Sequence, residues 1–333
     1  MTNSPKSFPC FYPHLIGSTA YEWLSSAPGQ GKVLAVVTNC IYLVNSDDQL
    51  IWLANEKAPM HTRSIQLSGA LPGLVPNDPF QIEDQELIFP NGVVVNPKNA
   101  KDWRPADFSN KHLLALPEIY QKSREVFSHL AQLQPPGFGC FITPILASFE
   151  SDGSSSQPQF GDPVLQFAWP AVQSIARAAA AQDVRGIYAR VNELVGLGSG
   201  LTPSGDDFLG GLFFALHILN QRFPSQFELN KTEISRFLMQ IRSCTNLISA
   251  TLLDDLAGGL GPAPLHVFIQ NLLMPESQEP SFEHALALAS IGHSTGWDIL
   301  TGLLSGLLWT CPEPKRATHG SLPQRALVET VSC

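Results

Sequence analysis

Hydrophobic and polar positions change period near residue 104. Before it, short apolar runs rich in β-branched residues alternate with turn signals. Lys32–Cys40 and Ile41–Val44 read as strands, and Leu50–Ala54 reads as a hairpin partner across Ser46-Asp47-Asp48. Ser64–Leu67, Gln81–Ile82, Glu86–Phe89 and Gly92–Val95 follow, separated by Pro72-Gly73, Pro76–Pro79 and Pro90-Asn91-Gly92. Closely spaced strands of this kind predict a small antiparallel barrel or sandwich. No strand-helix-strand alternation argues for a parallel sheet.

After Trp103 the spacing becomes helical. Ile119, Val126, Phe127, Leu130 and Leu133 mark one helix within Pro117–Leu133. Ser151–Pro163, low in complexity, reads as a linker or surface loop. Asp183 can cap a helix with Val184, Ile187, Tyr188, Val191, Leu194 and Val195 on one stripe, and Phe208–Leu219 is apolar nearly all round, as a central buried helix would be. Further helices are expected over Thr232–Ser243, within Asn246–Gly259 and over Glu283–Ile291. The layout predicted is α+β: a β-rich N-terminal domain over 1–150, a linker over 151–163, a helical domain over 164–311 and a disordered tail over 312–333.

Between two helical segments lies Gly196–Gly211, GLGSGLTPSGDDFLGG. Its glycines allow positive φ and close approach of a ligand to bare backbone. Thr202-Pro203 reads as a helix start with a hydroxyl cap, or Ser204 caps with Asp207 as its partner three residues on. In either case a glycine loop runs into a helix N-terminus, which favours an anion. A cap needs one hydroxyl and one carboxylate, and Thr202–Asp207 holds two of each. No Walker loop is present, because no lysine lies between Lys122 and Lys231, and a Rossmann fingerprint would follow a strand. Backbone amides would therefore hold the anion, with arginines such as Arg185 or Arg190 nearby. Asp206 and Asp207 are the candidate catalytic residues, orienting an amide or amine. No metal is required by this reading; if one binds, they hold it, and Mg²⁺ suits such carboxylates.

Composition narrows the partners. A net charge of −9 and a pI near 5.4 over 333 residues argue against nucleic acid and anionic membranes. Six scattered cysteines without a C-x-x-C pair give no metal or disulfide framework, and no apolar run is long enough to span a bilayer, so a cytoplasmic protein is expected. Gly292–Asp298, GHSTGWD, matches the nucleophile-elbow pattern G-x-S-x-G, but a helix-like ALALAS precedes it where an elbow needs a strand. His293, Ser294 and Asp298 are placed instead as polar lining opposite Asp206 and Asp207. His61, Arg63 and Ser64 read first as an exposed turn, with Arg63 as a source of positive charge between domains.

At GLGSGLTPSGDDFLGG the chain resembles the bacterial family typified by AllH, a subunit of oxamate carbamoyltransferase in allantoin breakdown. Support extends to Ser249–Gly258 and to IGHSTGWD, and loosely to SIQLSG. The resemblance implies an enzyme-complex subunit handling carbamoyl phosphate, oxamate or oxalurate, with other subunits as partners. The combined expectation is a small anionic metabolite bound by Gly198, Ser199, Gly200, Thr202, Ser204, Gly205, Ser249, His293, Ser294 and Arg63. Two alternatives stay open: a non-catalytic scaffolding subunit, and an Mg²⁺-dependent hydrolase using Asp206, Asp207 and Asp298.

Overall fold

A computed structural model describes residues 9–26, 28–105, 112–150, 158–181, 183–227, 231–275 and 281–310. The expected tail over 312–333 and most of the expected linker lie outside them. The N-terminal half holds ten strands: β1 (Cys10–Phe11), β2 (Leu15–Gly17), β3 (Gly29–Val36), β4 (Cys40–Asn45), β5 (Leu50–Asn55), β6 (Ser64–Leu67), β7 (Pro79–Glu83), β8 (Glu86–Ile88), β9 (Val94–Val95) and β10 (Lys101–Trp103). They form one curled sheet in the order β1-β9-β8-β7-β3-β4-β5-β6-β2-β10, a half-barrel, with helix α1 (Ser18–Ser26) beside it.

The sheet is mixed rather than purely antiparallel. β5–β6, β2–β10 and β1–β9 pair in parallel. The long strand expected through Cys40 is broken after Val36, where a turn over Thr38-Asn39 closes the β3–β4 hairpin and Val37 N–H donates to the Cys40 carbonyl. Asn39 at this turn also accepts from the Asn55 side chain at the end of β5.

Among the described residues ten α-helices make the second half: α2 (Leu116–Leu130), α3 (Ile142–Glu150), α4 (Pro163–Ala180), α5 (Val184–Val191), α6 (Ser204–Arg222), α7 (Lys231–Ile241), α8 (Leu247–Ala257), α9 (Ala263–Leu273), α10 (Ser281–Ala289) and α11 (Thr295–Thr310). The last strand ends at Trp103, and α2 and α3 pack into the helical core through Ile119, Phe127, Ile142 and Ile145.

At the centre lies α6, with every residue from Gly205 to Leu216 buried, as its all-round apolar sequence requires. Alongside it runs α11, buried from Asp298 to Thr310. Glycine brings them into contact: a Cβ at Gly302 would overlap the Phe208 carbonyl oxygen, one at Gly211 the Ile299 carbonyl oxygen, and Gly306 faces Ala215. Thr202 meets Thr295 at one end and Ala215 meets Gly306 further along, so the helices run parallel and their N-termini lie side by side.

The halves join through α8. Ile248 enters an apolar cluster with Val44, Leu50, Trp52, Ala54 and Ala58 on the outer face of the sheet. Arg63 reaches Asp255 on α8 in a two-pronged ion pair, Nε to Oδ2 at 2.6 Å and Nη2 to Oδ1 at 2.7 Å. Among the described residues no helix is long and apolar enough to cross a membrane.

Replacing glycine by alanine inside an exposed helix gains about 1 kcal/mol of helix propensity. At Gly302 the added methyl meets backbone, and overpacking costs about 1–3 kcal/mol or more. Gly302→Ala is expected to destabilise the protein, seen as a lower urea midpoint at unchanged slope. A midpoint equal to or above wild type would show that the α6–α11 contact is looser than described.

Candidate functional site

The glycine loop links α5 to α6. Gly196, Gly198 and Gly200 have φ of +72°, +122° and +103°, a region closed to most side chains. Close packing restricts two of them further, because a Cβ at Gly196 would strike the Cys244 carbonyl and one at Gly198 the Ser204 nitrogen. Asn246 Nδ2 donates to the Leu201 carbonyl at 2.8 Å, tying the loop to the start of α8. Neither expected cap forms. Pro203 occupies the cap position of α6, with no side-chain cap bond, and Ser204 begins the helix.

The two adjacent aspartates face different surroundings. Asp206 is an internal strut: Oδ1 accepts from Gly196 N–H at 2.7 Å, and Oδ2 accepts from Ser249 Oγ at 2.6 Å and Thr245 Oγ1 at 2.5 Å. The expected ligand-binding residue Ser249 is thus spent on Asp206. Asp207 is only 4% exposed, and its Oδ2 is buried without a partner. Burial, then the neighbouring Asp298, raises its pKa well above the ordinary carboxylate value, outweighing hydrogen bonds from Thr202 and Thr295.

Asp298, in the first turn of α11, is fully buried. Its Oδ1 accepts from Phe138 N–H at 2.6 Å, on a loop where Gly137 has φ +57° and leaves no room for a Cβ beside that oxygen. Burial lifts its pKa to about 7, although Ser204, the Phe138 N–H and Ser294 hydrogen-bond the ionised form. The parallel helices therefore juxtapose matching hydroxyls and carboxyls. Thr202 Oγ1 lies 2.9 Å from Thr295 Oγ1, Ser204 Oγ lies 3.5 Å from Ser294 Oγ, and Asp207 and Asp298 interact electrostatically.

A cleft of about 890 Å³ opens between this helix pair and the sheet. Asp207, Thr202 and Thr295 line it from the helical half, and Tyr42, Trp52 and His61 line it from the sheet. Lys57 and Glu56, both exposed, lie at its edge. Burial keeps its other groups uncharged. The Cys40 thiol is pushed up to about 12, the Tyr42 phenol is raised, and His61 is held down at about 3 by burial and by Arg63.

The other sequence candidates are dispersed. Gly198, Ser199 and Gly200 are exposed at the loop tip, Gly205 is buried against the Leu194 carbonyl, and His293 is exposed. Arg63 gives its guanidinium to Asp255 and to the Leu50 carbonyl. No group of three or more His, Cys, Asp or Glu is placed to hold a metal among the described residues. A helix, α10, precedes GHSTGWD, so Ser294 sits on no elbow.

The sequence reading missed Tyr42, Trp52, His61, Thr295 and the Phe138 contact. One signal was present. β5, LIWLAN, has no polar residue before Asn55, and a strand buried on both faces must be covered by something beyond its own sheet.

Residues 194–307 match the family model of oxamate carbamoyltransferase subunit AllH. The matched segment begins at Leu194, just before the glycine loop, and ends within α11. It contains both N-termini with Asp206, Asp207 and Asp298, whereas the sheet that forms the opposite wall lies outside it. No solved structure matches the chain.

A carboxyl whose pKa is raised on folding holds an extra proton in the native state between its unfolded and folded values. Its stabilising contribution is complete below the unfolded pKa and lost as pH rises through the folded one, here from about 4 to about 7. His61 and His266, both lowered by burial, give the opposite slope, so the Asp298 term must be isolated by difference. Asp298→Asn keeps an acceptor for Phe138 N–H. Relative to wild type it should gain stability across that window, by up to about 1.4 kcal/mol per pH unit. Urea unfolding of both proteins at several pH values measures this, and a pH-independent difference would mean that Asp298 titrates as an ordinary carboxylate.

Proposed function

We propose that the chain is a subunit of a carbamoyltransferase of the oxamate type, and that its cleft holds a small anionic metabolite carrying an amide or carbamoyl group. The observation that carries this reading is Asp207. It lies within the AllH-matched segment, lines the cleft between the halves, and keeps a buried carboxyl oxygen without a partner.

The chemistry fits such a ligand. A protonated Asp207 can donate a hydrogen bond to a carbonyl or carboxylate oxygen, which an ionised aspartate cannot. Thr202 and Thr295 add hydroxyls that donate or accept, as both ends of an amide require. The paired N-termini of α6 and α11 favour negative charge, and Lys57 offers a cation at the edge of the cleft. Donors fixed before the ligand arrives would also stabilise charge developing on a carbamoyl oxygen.

A second reading, a non-catalytic subunit, is favoured by the glycine loop itself. Asp206, Ser249 and Asn246 are fully engaged within the fold, so much of the motif serves the junction of α5, α6 and α8.

Thermal unfolding with oxamate, oxalurate, carbamoyl phosphate or phosphate separates the two. A ligand at a hundredfold excess over its dissociation constant stabilises by about 2.7 kcal/mol, enough to raise the midpoint by several degrees. The shift should vanish in Asp207→Ala, each protein being compared with its own ligand-free midpoint. No shift with any of the four compounds would favour the scaffolding subunit, whose partners would then be sought.

A further inference from the structure

His61 was expected in an exposed turn, yet it is 3% exposed, on a turn that is fixed from several sides. Its own N–H donates to Ser64 Oγ at 3.0 Å, and its carbonyl accepts from the same hydroxyl at 2.9 Å. The Thr62 carbonyl accepts from Ala20 N–H, and the Met60 carbonyl from Ala263 N–H in the helical half. The ring lies 5.0 Å from that of Trp52.

These contacts determine the tautomer. Arg63 N–H donates to His61 Nδ1 at 3.3 Å, so Nδ1 carries no proton. The imidazole is neutral, and its single proton is therefore on Nε2. That Nε2–H is buried without a partner. Asp255 Oδ2 is 3.9 Å away, beyond hydrogen-bond reach, and already accepts from Arg63 Nε at 2.6 Å. Buried polar groups without partners are rare in native proteins, and each calls for an explanation. His61 and Asp207 are both such residues, and they line the same cleft from opposite halves.

We propose that His61 is a ligand-binding residue supplied by the sheet, its Nε2–H donating to a carbonyl or carboxylate oxygen of the molecule in the cleft. The assignment rests on the cleft being the metabolite site, and it makes that site a joint product of both halves. A neutral donor suits this position because Arg63, the adjacent cation, is committed to Asp255.

Two measurements test it. In protein labelled with ¹⁵N-histidine, His61 should be neutral with its proton on Nε2 at pH 6, and that resonance should shift on addition of oxamate or oxalurate. A doubly protonated ring at that pH, or resonances unmoved by a compound that binds, would overturn the proposal without recourse to any variant. In calorimetric titrations with oxamate and oxalurate, His61→Phe should weaken binding about tenfold, the value of one neutral hydrogen bond, and His61→Gln should recover most of it because its amide can donate from nearly the same place. Wild-type affinity in His61→Phe, with binding still lost in Asp207→Ala, would overturn the role of His61 and leave the cleft reading intact. Failure of wild type to bind either compound would overturn both.

Discussion

The architecture depends on the close approach of α6 and α11. Two helices with ordinary side chains at the contact pack 8–10 Å apart, and the intervening groups are apolar. Gly211 and Gly302 remove those side chains and let each helix meet the other's backbone. Parallel orientation then places two helix N-termini side by side, each with a carboxyl in its first turn. Burial there raises the pKa of both carboxyls, and the nearby Asp298 raises that of Asp207 further. The raised pKa values of Asp207 and Asp298 therefore follow from a packing contact made further along the helices.

Charge is sorted accordingly. Arg63, the cation next to His61, is neutralised by Asp255, and the buried polar groups on the cleft walls are held uncharged, leaving Lys57 and Glu56 as charges at the edge. Under the proposed function such a cleft would select its ligand by hydrogen-bond geometry as well as by charge, with an acceptor facing His61 and a group that can meet a carboxyl facing Asp207.

Much of the fold was legible because it rests on local periodicity. The all-round apolar run from Phe208 announced a central helix, and the helix-like ALALAS argued correctly against an elbow at Ser294. What could not be read was which half of a motif faces inward. Asp206 and Asp207 are neighbours in sequence, but the step of about 100° between successive helical positions points them in different directions, the first to Gly196 and Ser249 and the second to the cleft. His61 looked like a turn residue because its burial comes from a helix two hundred residues away in the chain. The break after Val36 was hidden because Thr38-Asn39 carries no glycine or proline.

The parallel helix pair also bears on how the protein comes into being. α11, the last helix described, packs against α2, α4, α6 and α10. A chain emerging from the ribosome with its N-terminus first can curl its sheet early, from hairpins that pair within a few residues of one another. The helices that follow must wait with their apolar faces uncovered until residues 295–310 are made. Arg63 likewise waits 192 residues for Asp255. The cleft thus belongs to the closing moments of folding, and its integrity reports whether the whole chain has been assembled.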